Sequence, residues 1–505
     1  MIWGNSLRLA LWLALCAPLP AVAQDVTLAA REGGLSLSGS LQAYDGEFYR
    51  IETDFGLLTV DAAGVICEGP GCPDLTAPRI ALRVTGVPSL GERILPGLFR
   101  AFATARGLRL DLDPGAAFAA RLTDPVSGKP LADISFVPQT PEGMRAALAA
   151  GRAEMGLAAA AEPDLAARVL ALDALVPIVA PDNPLPQIST RDLAAVLSGE
   201  VTNWAQVGGP DMPLVLHGLG PDDPLQAALA DRLGRQIVPA ILHADLAALA
   251  AAVAGDPWAI AVSLRTGAAG TRALPLTDSC GFPLLPSSLA VKAEDYPLSL
   301  PLFLLTPKRR LPLLMREFLD FLATPQAQAA IAASGFIDRQ PERQPMTADG
   351  LRLINAIRGA GEETTLADLQ RLTAVMEGAE RLSLTFRFQD GSSTLDAHSR
   401  DSLRDLARLM DAGLFRDKQV ILAGFSDGSG AAATNLSLSA ARAESLLSQL
   451  AALLPETAPD ALPTVLAFGE ALPMACDETS AGRRLNRRVE VWLKPGFTST
   501  PPTGN

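Results

Sequence analysis

Four of the five cysteines, Cys67, Cys72, Cys280 and Cys476, lie beyond the first 23 residues, an even number that implies disulfides in an oxidising compartment. Cys67 and Cys72 frame the tight turn Glu68-Gly69-Pro70-Gly71, so this pair is read as bridged. Cys280 with Cys476 follows only by elimination and would tie two domains together; free buried thiols are an equal reading. The histidines are His217, His243 and His398, with no two in i, i+4 reach, so a catalytic metal site has no support. Gly428-Ser429-Gly430 reads as a loop rather than a nucleophile elbow. No catalytic residue, metal ligand or cofactor motif emerges, and the chain reads as a non-enzyme.

The N-terminus supplies the compartment. One cation, Arg8, precedes the apolar run 9–15 and the small-x-small site Ala21-Val22-Ala23, the layout of a secretory signal peptide over residues 1–23. The run is shorter than the roughly 20 residues a spanning helix needs, and Pro18 and Pro20 interrupt its end. Cys16 would leave with the signal. The formal charge is −13, and an acidic chain is a poor partner for nucleic acid or an anionic membrane surface, both of which need a cationic face.

The 505 residues exceed what one core usually holds, about 250–300, so two or three domains are expected. Residues 24–77 alternate as short strands at 26–28, 35–39, 48–53 and 57–61, a small all-β barrel or meander closed by the cysteine loop. Residues 78–339 set strand-like pieces (81–84, 176–180, 213–216, 259–262) among Ala/Leu-rich helical stretches such as 141–150 and 246–254, an α/β layer architecture. A proline- and charge-bearing stretch at 338–345 opens a linker, 340–378, with short helices at 348–360 and 366–376. Residues 379–495 then read as strand, helix 397–410, strand 419–423, helix 437–453 and two more strands, an α+β sandwich, before a disordered tail at 496–505.

In this last domain Phe388-Gln389-Asp390-Gly391-Ser392-Ser393-Thr394-Leu395, Gly424-Phe425-Ser426-Asp427-Gly428-Ser429-Gly430, Asn435-Leu436-Ser437-Leu438-Ser439-Ala440-Ala441-Arg442-Ala443, Phe468-Gly469-Glu470 and Asn486-Arg487-Arg488-Val489-Glu490 stand in order. Together they resemble the OmpA-like peptidoglycan-binding family. The resemblance implies that Asp427 and Arg442 hold the diaminopimelate of the peptidoglycan stem, with Asn435 and the 428–430 loop shaping the pocket floor. The chemistry fits: a carboxylate takes the ammonium while a guanidinium forks onto the carboxylate. Arg442 is read as lying within the first turns of its helix, where free N–H groups favour an anion. Read singly, Asp427 is an Asx-turn residue and Arg442 a solvated helix cation. The cluster Arg483, Arg484, Arg487 and Arg488 is read as pairing with acids across the sheet, with phosphate or glycan binding as the alternative.

Farther back, Pro181-Asp182-Asn183-Pro184 and Ser198-Gly199-Glu200-Val201-Thr202-Asn203-Trp204 resemble the PstS-type, phosphate-binding-like family of periplasmic solute-binding proteins. This implies a bilobal α/β domain (type II) with a ligand cleft. Much of that family's anion equipment is replaced: Gly218-Leu219-Gly220-Pro221-Asp222-Asp223-Pro224 stands where a Ser-Gly-Thr loop is usual, and Glu154 to Ala161 where Ser and Arg often occur. Thr85 and Ser89 remain candidate anion donors; alternatively Ser89 and Glu92 form a capping box with no ligand. The resulting expectation is an exported periplasmic protein, or one on the periplasmic face of the Gram-negative outer membrane. Its partners would be peptidoglycan, then phosphate or another small anion, and an envelope protein. The alternative is an oxyanion receptor of an ABC-type uptake system localised to the wall.

Overall fold

The computed structural model describes residues 25–496 apart from 32, 45–47, 73–79, 114–117, 310, 362, 390–391, 393 and 455–461. The expected signal peptide and most of the expected tail lie outside the described residues. No described helix is long and apolar enough to cross a membrane.

The N-terminal unit is an antiparallel five-stranded sheet in the order Gly56–Asp61, Phe48–Thr53, Ser36–Tyr44, Asp25–Ala30, Val65–Glu68. The first four strands follow the expected alternation, and Val65–Glu68 adds a fifth against the opening strand. Val26, Leu28, Tyr49 and Ile51 form its core, with the bonded pair Cys67 and Cys72 packed against them. Its architecture is a meander.

Beyond it, a large mixed sheet runs through two lobes. Leu165–Val179 is common to both: Leu165 to Ala174 pair with Ser299–Pro307, and Leu175 to Val179 pair with Ala259–Leu264. On one side lie Met155–Ala158, Ile80–Gly86 and the antiparallel Pro130–Pro138, Ala119–Thr123 and Arg109–Leu112; on the other lie Val215–Leu219 and Ile241–His243. Leu170 to Ala180 are continuously buried, as strands covered on both faces must be. Helices Pro88–Ala105 and Pro141–Ala149 cover the first lobe, and Pro224–Leu233 and Leu246–Ala254 belong to the second.

The last sheet has the order Arg343–Pro345, Glu380–Arg387, Arg488–Pro495, Lys418–Phe425, Thr464–Ala467. Side chains alternate across it: Val420 and Leu422 face the core under the Ala397–Asp411 and Ala432–Ala451 helices, while Ile421, Ala423 and Phe425 face the other way. That second face is covered by the segment read as a linker. Arg343–Pro345 is an edge strand, and Ala356, Leu369, Leu372 and Met376, from helices Gly350–Gly359 and Leu366–Met376, pack on Trp492 and Phe425. The linker expectation is therefore corrected: Pro341 and Pro345 flank an edge, where proline is tolerated, rather than a break between domains.

Candidate functional site

Asp427 follows the end of the central strand Lys418–Phe425. Its Oδ1 accepts from Ser429 N (3.1 Å), the Asx turn, and its Oδ2 accepts from Arg487 Nη1 (2.9 Å). The loop is held by Gly428 N donating to Asp477 Oδ2 (2.8 Å), and Gly430 takes a left-handed φ of 93°, where a side chain would be strained. Burial alone would raise the Asp427 carboxyl, but the bonds from Arg487 and Ser429 hold it below its ordinary value.

Arg442 faces this carboxylate electrostatically and is repelled by Arg487; burial, the largest cause, draws its guanidinium below the ordinary value. Its Nη1 is buried with no hydrogen-bond partner. Its position on the helix differs from expectation: the helix starts at Ala432, not 437, so Arg442 is ten residues inside, about 15 Å along the axis. The helix N-terminus therefore contributes little to an anion held there, since its field fades within the first turn. Asn435 is 2% exposed and donates through Nδ2 to Glu470 Oε2 (3.0 Å). Glu470 Oε1 accepts from Thr364 Oγ1 (3.0 Å), and Glu363 Oε2 caps the helix at Ala432 N (2.7 Å).

The remaining motif residues hold the fold. Asn486 accepts from Met474 N and Ala475 N, and Arg488 donates to Leu472 O and Glu490 beneath the Phe425 ring. Arg487, read only as one of a cluster pairing with acids, pairs with Asp427 itself; its place in the Asn-Arg-Arg run was the available signal. Between them Asp427, Arg442 and Arg487 present one carboxylate and two guanidiniums, a set suited to a zwitterionic ligand.

In the bilobal domain one of the two expected donors is committed. Thr85 Oγ1 donates to Val137 O (2.9 Å). Ser89 does not cap its helix: Val87 is the N-cap, Pro88 opens the helix and no side chain caps it, so the capping-box reading is also corrected. Asp223 caps Pro224–Leu233 through Leu225 N and Gln226 N, placing a carboxylate at that N-terminus. Glu154 is bound by Arg83 through its backbone N–H and guanidinium. Trp204 is fully buried, donating to Trp258 O, and Asn203 with Gln206 forms a capping box, so the Asn-Trp run is structural.

Parallel neighbouring strands bring His217 Nδ1 within 2.9 Å of His243 Nε2, a pairing that spacing along the chain does not reveal. Burial and the second imidazole keep His217 below the ordinary histidine value. Cys280 and Cys476 are bonded.

A bilobal α/β sheet with one shared strand is joined to an α+β sandwich that carries a charged loop site. Residues 145–326 match the model of the PBP superfamily domain and residues 387–487 that of the OmpA family, so the chain joins a PBP-like domain to an OmpA-family domain. A 43-residue stretch is 49% identical to the phosphate-binding protein PstS of Borreliella burgdorferi, covering 8% of this chain and 15% of that protein. Among solved structures, an ABC-type phosphate transport receptor from Vibrio cholerae is 18% identical, with a TM-score of 0.40, over 51% of this chain and 99% of that one. PstS from Borrelia burgdorferi is 16% identical, with a TM-score of 0.37, over 51% and 98%.

Proposed function

We propose that the chain is a non-catalytic, exported cell-wall-binding protein of the Gram-negative periplasm, held on peptidoglycan by Asp427 and Arg442. The observation that carries this is the buried, unpartnered Nη1 of Arg442 in the field of Asp427. A buried charged N–H without an acceptor costs free energy, and a diaminopimelate carboxylate would remove that cost while Asp427 takes the ammonium. Asn435 supports the site from below through Glu470.

The test is a pulldown on purified sacculi. Wild type co-sediments, and the Asp427→Ala, Arg442→Ala double variant is lost from the pellet while retaining its melting temperature to within a few degrees. Equal pelleting of the variant would sink the reading. A second reading, an oxyanion receptor, draws on the short PstS-like identity. The alanines at 158–161, the Asp223 cap and the committed Thr85 hydroxyl oppose it, because a dehydrated phosphate needs a donor for each oxygen.

A further inference from the structure

The cleft between the lobes contains a cavity of about 440 Å³, within the size of small-molecule sites. Most of its wall is apolar: Met144, Leu157, Leu300, Pro301 and Phe303, with Ala158 to Ala161. One end is charged and belongs to both domains. Arg232 and Glu294 come from the bilobal domain; Asp396, His398 and Arg484 come from the OmpA-family domain. A smaller chamber of about 30 Å³ continues past Arg232, Glu294, Arg387 and Arg484.

Three observations at this end indicate a group that the protein itself does not supply. The guanidiniums of Arg232 and Arg484 are half-buried and donate no hydrogen bond to any described residue, although Arg232 lies in the field of Glu294 and Asp231. Glu294 Oε2 and Arg387 Nε are buried, 3.9 Å apart and without hydrogen-bond partners. Among the described residues, Glu294 is the one non-glycine with a positive φ, 54°. It ends the Ser288–Lys292 helix at a position where glycine is the unstrained choice, so its side chain is the reason for its presence. The acids at this end are Asp231, Glu294 and Asp396, and the last two have partners within the protein. Glu294 faces His398, Asp396 caps its helix at Ser399 N, and burial raises the Asp396 carboxyl above its ordinary value.

We propose that this cavity is a composite ligand site, shared by the two domains, for a small molecule with an apolar body and one anionic group, the anion lying against Arg232 and Arg484. This deepens the reading of the bilobal domain as one whose phosphate-binding equipment is largely replaced, and rests on its being a ligand domain. The OmpA-family domain is then part of the recognition surface as well as a wall anchor.

The test is calorimetry of the full chain with 4-phenylbutyrate, its neutral analogue 4-phenylbutan-1-ol, and inorganic phosphate. The expected result is saturable one-to-one binding of 4-phenylbutyrate, roughly tenfold or more weaker binding of the alcohol, and silence with phosphate up to millimolar. Arg232→Gln and Arg484→Gln each weaken 4-phenylbutyrate about tenfold. Ala228→Leu, which fills the cavity without touching a charge, blocks it; unchanged melting temperatures exclude misfolding. Any of three results overturns the proposal: no saturable binding of 4-phenylbutyrate up to about 10 mM, where even weak small-molecule sites are filled, equal binding of the alcohol, or indifference to both arginine substitutions. Micromolar phosphate binding would overturn it in favour of the receptor reading. Sacculus attachment is read on the same variants, and the Asp427→Ala, Arg442→Ala protein should still bind 4-phenylbutyrate, so failure of one site is told from failure of the other.

Discussion

Glu490 and Arg442 use charge in opposite ways. Glu490 is fully buried, pairs with Arg352, Arg381 and Arg488, and accepts from Trp492 Nε1. Burial alone would raise its carboxyl, yet the three guanidiniums hold it well below the usual carboxylate range. Such a depressed acid contributes stability above its unfolded pKa and loses it only in strong acid. Glu490→Gln keeps the shape but leaves buried guanidiniums uncompensated, and should cost about 3–5 kcal/mol in denaturant unfolding. Arg442 lacks such partners, so Arg442→Ala should change stability by no more than about 1 kcal/mol. Both residues stand in motifs visible in the sequence. Which one is fully paired and which keeps a buried N–H without an acceptor was not visible, because burial and partners separate them. His217 and His243, paired across strands 26 residues apart, show the same limit.

At the scale of elements, hydrophobic periodicity located the main strands and helices, and misreadings arose where distant groups replace local signals. The Ala432–Ala451 helix has no side-chain cap of its own; Glu363, 69 residues earlier, supplies it, so the start was read five residues late. The 340–378 segment carries prolines and charge, yet Leu369, Leu372 and Met376 complete the second core of the last sheet. If they do so, Leu372→Ala, at a residue 1% exposed, should destabilise the C-terminal domain by about 2–4 kcal/mol in urea unfolding. A true linker would show almost no effect.

At the scale of the molecule, the PBP-like and OmpA-family domains are joined by more than chain connectivity. Arg381 grips Asp295 through both terminal nitrogens (2.7 and 3.1 Å), Asp401 accepts from Val169 N (2.9 Å), and the Cys280–Cys476 disulfide closes the junction. His398, on the C-terminal domain, puts Nδ1 3.3 Å from Glu294 Oε1 of the bilobal domain. Burial opposes its protonation and so does Arg339, but Glu294 and Asp396 prevail and its pKa is raised. A raised histidine adds stability that is complete below its unfolded value, about 6.5, and is lost as pH climbs through the folded value. Because the disulfide keeps the domains tethered, that loss should register as a lower melting temperature rather than as dissociation. Melting curves of the wild type should therefore shift downward as the pH rises above about 6.5, where a histidine of raised pKa begins to lose the advantage of its proton. His398→Gln should melt lower than wild type at the acidic end and show a flatter dependence. Parallel slopes for the two proteins would mean that the Glu294–His398 contact carries no net charge coupling between the domains.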